Sequence, residues 1–79
     1  MVNYKNLSGK SNVKSYMIGD DYIDVKFNSE SKNGYNHYKY TYNSAGRENV
    51  EIMKSLALNG KGLNEFINTN VKKSYAQKS

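Results

Sequence analysis

The chain has 79 residues, with no cysteine, proline or tryptophan, and carries a formal net charge of +5 and a pI near 9.4. Those values exclude a disulfide-stapled scaffold and a thiolate metal site, and they leave room for one small domain. A chain this short buries only about 60% of its unfolded surface, so association into a homo-oligomer is the simplest way to enlarge its core.

No apolar run approaches the roughly 20 residues of a membrane span, and Met1-Val2-Asn3-Tyr4-Lys5 lacks the apolar core of a signal peptide. The expectation is a cytoplasmic protein without membrane association. The basic charge favours anionic partners: nucleic acid, a nucleotide or an acidic protein surface. It is unevenly spread. Asp20, Asp21 and Asp24 cluster early, whereas Lys54, Lys61, Lys72, Lys73 and Lys78 face a single acid, Glu65, in the last third.

Taken in chain order, residues 1–10 show little periodicity and read as a flexible lead-in. A single domain over 11–75 follows. Asn12 to Ile18 is β-branched and aromatic without a breaker, which predicts a first strand. Gly19-Asp20-Asp21 is a turn signal. Tyr22 to Asn28 alternates, with Ile23, Val25 and Phe27 on one face and Tyr22, Asp24 and Lys26 on the other. Ser29 to Gly34 is a polar loop ending in Asn33-Gly34, a hairpin signal.

Residues 35–43 then supply a third strand built on a tyrosine ladder. Alternation sends Tyr38, Tyr40 and Tyr42 to one face and Tyr35, His37, Lys39 and Thr41 to the other. The helices need an apolar surface to cover, and strand two already offers one. At least two of Tyr38, Tyr40 and Tyr42 are therefore expected beneath them, with Tyr35, His37 and Lys39 on an outer aromatic and basic face. The competing arrangement exposes the three tyrosines as a platform on which bases stack.

The period changes after residue 43. Ser44 reads as an N-cap, with Glu48 and Glu51 in the early turns. Val50, Met53 and Ala57 share one helical face, and Asn59-Gly60 is a stop. Gly62 opens a shorter helix in which Leu63, Phe66, Ile67 and Val71 form the apolar stripe. Residues 76–79 read as a frayed tail. The fold class is α+β: a three-stranded antiparallel meander followed by two short helices packed on one face.

Several stretches in this order resemble the KTSC domain, a small bacterial module named for a segment at the C-terminus of some lysyl-tRNA synthetases. They are Ser11-Asn12-Val13-Lys14-Ser15, Tyr22 to Phe27, Tyr38-Lys39-Tyr40, Gly60-Lys61-Gly62, Phe66-Ile67 and Asn70-Val71-Lys72. The likeness spans about residues 11–75. Family members often carry a proline entering the helix, where this chain has Asn43-Ser44-Ala45-Gly46. The resemblance implies the α+β fold, and it implies RNA binding as a function.

The chemistry-bearing groups point to binding. In the Asn59-Gly60-Lys61-Gly62 turn, two glycines let backbone amides converge and Lys61 adds a charge, which suits a phosphate; a plain helix–helix corner explains the same residues. The P-loop spacing is absent. Arg47 is the one arginine and the best bidentate phosphate partner. His37 has no carboxylate or serine near it in sequence and reads as a strand histidine. The three aspartates lack calcium-loop spacing. With no nucleophile–base pair, metal set or cofactor fingerprint, the expectation is not an enzyme.

It is instead a small binding module that engages a nucleic acid or nucleotide phosphate. Its candidate contacts are Tyr35, His37, Tyr38, Lys39, Tyr40, Arg47, Gly60, Lys61 and Gly62. The alternative is a phage-encoded anti-defence protein that inhibits a host protein or sequesters a nucleotide signal; a composition rich in Asn, Lys, Ser and Tyr fits an AT-rich genome.

Overall fold

Side-chain alternation over three consecutive segments builds the centre of the sheet. The computed structural model describes residues 1–30 and 34–79 and is α+β. The central strands are β2 (Val13–Ile18), β3 (Tyr22–Phe27) and β4 (His37–Thr41), flanked by two-residue edges β1 (Val2–Asn3) and β5 (Gln77–Lys78). All neighbours are antiparallel and the order is sequential, β1-β2-β3-β4-β5. The sheet thus has five strands rather than the expected three. The extra pair comes from segments too short to show a period.

Both ends depart from expectation for the same reason. Val2 and Asn3 pair with Tyr16 and Ser15, and Tyr4 is buried with its amide bonded to the Lys14 carbonyl. The first residues are therefore part of the fold, not a flexible lead-in. Lys78 and Gln77 pair with Tyr38 and Lys39, and the Ser79 carbonyl accepts from the Asn36 and His37 amides. That pairing corrects the frayed tail.

Register assigns the faces. Ile23 lies opposite Tyr40 and Val25 opposite Tyr38, while Asp24 lies opposite Lys39 and Lys26 opposite His37. A bulge between Val13 and Ser15 keeps both Val13 and Tyr16 in the core. Asn33 of the hairpin signal lies outside the described residues. Gly34 has φ +83°, the left-handed region that glycine adopts without strain.

All helices lie between β4 and β5. Tyr42 leaves the ladder to begin α1 (Tyr42–Ala45), and Thr41 caps it: the Thr41 hydroxyl accepts from the Ser44 amide and the Ser44 hydroxyl accepts from the Thr41 amide, each at 3.0 Å. Ser44 is thus the third helical residue, not the cap. Gly46 separates α1 from α2 (Arg47–Asn59), which buries Val50, Met53 and Ala57. Each fully buried aliphatic side chain contributes on the order of 1.5–3 kcal/mol.

Gly60 ends α2 in the left-handed region at φ +74° and returns its amide to Leu56 and Ala57. The last helix, α3 (Leu63–Phe66), runs into a π-helical turn, Ile67–Val71, so the predicted second helix widens halfway along. Leu63, Ile67 and Val71 are buried, and Phe66 packs beside them. These residues close one face of the sheet over Val13, Tyr16, Ile23, Val25, Phe27 and Tyr40. Among the described residues no helix covers the other face.

Candidate functional site

The ladder divides at β4. Tyr40 is 1% exposed and belongs to the core, and Tyr38 is half-buried against it. Tyr42 is no longer on the strand; its hydroxyl donates to Glu51 Oε2 at 2.6 Å, and Arg47 and Lys54 lie 5.7 and 5.5 Å from its ring centroid. The hydrogen bond from Lys54, with a lesser one from Tyr42, holds the Glu51 carboxyl below its ordinary range. Two of the three rings thus lie on the helix side, and the third locks α1 to α2.

Where β4 meets the π-helical turn, the sheet and the last helix diverge and leave a cleft of about 860 Å³. Strand residues Phe27, Tyr38 and Tyr40 line it together with Tyr35, which precedes β4. Asn64, Ile67, Asn68, Lys72, Lys73 and Tyr75 face them, and Lys78 enters from β5. The aromatic groups are ordered: Tyr38 meets Phe27 edge-on at 5.7 Å and Tyr75 at 5.1 Å.

Lys78 Nζ sits 4.8 Å from the Tyr35 ring and 5.4 Å from that of Tyr75. Cation–π contacts at such exposed positions contribute roughly 0.5–1 kcal/mol each. A hydrogen bond with Tyr75, aided by the nearby phenols, holds the Lys78 ammonium above the usual lysine range. Burial, with lesser contributions from Tyr38 and Tyr75, pushes the Tyr40 phenol well above its ordinary value. At neutral pH the cleft presents a neutral phenol donor within and, at its mouth, Lys72, Lys73 and Lys78 beside one exposed acid, Glu30.

Tyr35 thus joins Tyr38 and Tyr40 and does not share the outer face with His37 and Lys39. That outer face holds its own small cavity of about 310 Å³, between Asp24, His37, Lys39 and the β5 residues Gln77, Lys78 and Ser79. His37 Nε2 is 3.5 Å from Asp24 Oδ1 and has no hydrogen-bond partner among the described residues. Asp24 is the carboxylate that sequence order hid. The strand pairing, thirteen positions apart in sequence, brings it there. Lys39 Nζ lies 4.2 Å over the Tyr22 ring.

The glycine turn commits three of its amides within the chain. The Gly60 amide donates to Leu56 and Ala57, the Lys61 amide to Leu56, and the Leu63 amide to the Tyr4 hydroxyl. These three donors are turned back to the chain, as at a helix–helix corner. Lys61 and Gly62 line a cavity of about 350 Å³ with Ser8, Lys10, Ser11, Asn64 and Glu65. Arg47 sits apart, at the start of α2 beside Tyr42. The nine residues singled out from sequence therefore fall in four places, and three of them line the large cleft.

Asn64, Asn68, Lys72, Lys73, Tyr75 and Lys78 line the cleft but were not among the residues singled out from sequence. A shared signal existed in the run Lys72-Lys73-Ser74-Tyr75, where cations precede a ring at the end of an apolar stripe.

Among the described residues no group of three or more His, Cys, Asp or Glu is placed to hold a metal ion, and no helix is long and apolar enough to cross a membrane. Compared with protein-family models, with curated proteins and with solved structures, the chain matches none of them.

Proposed function

We propose that the protein is a non-enzymatic binding module whose cleft takes a ligand that combines an aromatic base with phosphate, either nucleic acid or a free nucleotide. The observation that supports this reading is the juxtaposition in one cleft of Tyr35, Tyr38, Tyr40 and Tyr75 with Lys72, Lys73 and Lys78. Stacking on exposed rings contributes about 1–3 kcal/mol per base, and lysines at the mouth neutralise phosphate. The cleft volume lies within the range of small-ligand sites, about 300–1,000 Å³.

The order of matching stretches also supports a KTSC-type domain, which we keep as a proposal alongside the binding reading. A second role is favoured by the concave shape of the cleft: enclosing a nucleotide signal, as a phage anti-defence protein would, in place of tracking a strand.

The test is equilibrium binding of labelled single-stranded oligonucleotides and of nucleotides at low and at moderate salt. Binding that weakens as salt rises, and that is lost in a Tyr35→Ala, Tyr75→Ala double variant, is the expected result. Absence of binding by every nucleotide and oligonucleotide at low salt overturns the reading.

A further inference from the structure

Tyr40 lines the cleft although only 1% of its surface is exposed, and no described residue hydrogen-bonds its hydroxyl. The Tyr40 hydroxyl is not sealed off as His37 Nε2 is, so its donor is open to the cleft and to a ligand there. Its phenol stays protonated because burial opposes the phenolate.

On the facing wall, Asn64 and Asn68 stand four positions apart on the last helical segment. Neither carries a side-chain hydrogen bond among the described residues. Their neighbours Thr69 and Asn70 differ, since each bonds a backbone carbonyl one turn back. The cleft thus holds one phenol donor with no partner among the described residues and two uncommitted amides that can both donate and accept.

Charge is arranged differently. Lys72, Lys73 and Lys78 are exposed at the mouth together with one acid, Glu30, while Phe27, Tyr38, Tyr40 and Ile67 make the inner wall neutral and largely apolar. A phosphate driven to that wall would lose water and meet no cation. A planar, uncharged ring with polar atoms on its edge loses little there and gains stacking and hydrogen bonds.

We propose that Tyr40, with Asn64 and Asn68, reads the hydrogen-bonding edge of an unpaired nucleobase inserted into the cleft, while the phosphate of the same nucleotide stays at the lysine mouth. The proposal rests on the binding function inferred above and adds to it that the site discriminates among bases. The base can come from a free nucleotide or from a single strand, which present the same chemistry.

The experiment measures affinities of the wild type, Tyr40→Phe and Asn64→Ala for three sets of probes: the four ribonucleoside monophosphates, single-stranded homopolymers of each base, and inorganic tripolyphosphate. Thermal melts of each variant establish that it folds. The expected result is a preference among bases that Tyr40→Phe reduces about tenfold for the favoured base, the scale of one hydrogen bond. Tripolyphosphate affinity should be the same in the wild type and Tyr40→Phe. Asn64→Ala should flatten the same preference, which keeps the test informative if Tyr40→Phe unfolds.

A homopolymer that binds more tightly than its monophosphate supports the proposal with a strand as source, and the reverse supports it with a free nucleotide. Equal affinity for all bases, or unchanged base preference in both folded variants, overturns base reading while leaving the cleft as a phosphate-and-ring site. If no probe binds the wild type, the binding function itself fails.

Discussion

The Tyr4 hydroxyl accepts the Leu63 amide hydrogen at 3.3 Å, a buried bond between residues 59 positions apart. It satisfies one of the free donors at the start of α3 and fixes the N-terminal segment against the corner after α2. Leu7 reinforces the contact by donating its amide to the Gly60 carbonyl at 2.8 Å. Tyr4→Phe keeps the ring and removes only the acceptor. The expected loss is about 1–2 kcal/mol of unfolding free energy, because the buried amide loses its partner. Urea titration checks this, and removal of residues 1–10 should cost more. Equal stability of the shortened chain and the full chain would show that the segment is ornamental.

A second stability prediction concerns Gly60. Its φ of +74° places it in a region that costs an L-residue about 1–2 kcal/mol, and an added Cβ would lie 2.5 Å from the Cβ of Lys5. Gly60 is held by its own backbone hydrogen bonds and Lys5 lies between Tyr4 and Leu7, which are each bonded through the backbone, so relief requires moving the N-terminal segment. Gly60→Ala should therefore destabilise by at least about 1–2 kcal/mol. Gly9→Ala serves as the comparison: φ is similar at +73°, but nothing lies near the added atom. A smaller loss at Gly9 than at Gly60 in matched urea titrations confirms the contact; equal losses refute it.

Particular residues show what the sequence made legible. Ile23, Val25 and Phe27 alternate without interruption, so their face and strand were readable, as was the α2 stripe of Val50, Met53 and Ala57. The edges were not. Val2–Asn3 and Gln77–Lys78 are strands only because β2 and β4 offer open edges, and two residues carry no period. Tyr42 was misplaced because Thr41 and Ser44 form a reciprocal cap that ends the strand at Thr41, two residues early. The candidate site suffered most. Tyr35, Tyr38 and Tyr40 announced themselves as a ladder, but Lys72, Lys73 and Tyr75 join them only through the return of the chain from α3 to β5. Asp24 meets His37 by strand register, which local spacing does not display.

The mouth of the cleft carries a prediction about salt. Lys72, Lys73 and Lys78 are exposed and line it, so each that contacts a phosphate releases counterions on binding. Replacing Lys72 and Lys73 together by alanine should weaken oligonucleotide binding and lower the slope of log affinity against log salt by roughly one for each contacting lysine. Lys39→Ala is the matched control, since Lys39 stands over Tyr22 on the opposite sheet face. Fluorescence anisotropy across a salt series reads both. An unchanged slope in the double variant, or an equal change in the control, would move the phosphate contacts elsewhere.

Alkaline pH tests the interior setting of Tyr40. Burial raises its pKa in the folded chain, whereas an unfolded tyrosine titrates near pH 10. Below that value both states hold the phenol proton and the group adds no pH dependence. As pH rises past about 10, the unfolded chain releases the proton and the folded chain retains it. The unfolded state then binds fewer protons, so unfolding free energy falls with pH. Tyr40→Phe has no proton to lose at this position and should decline less steeply above pH 10 than the wild type. Urea midpoints measured from pH 8 to 11 for both chains isolate the effect, because the remaining tyrosines and lysines titrate in each. Parallel profiles would mean that the Tyr40 hydroxyl is hydrated in the folded protein, and the neutral inner wall on which base insertion depends would then be lost.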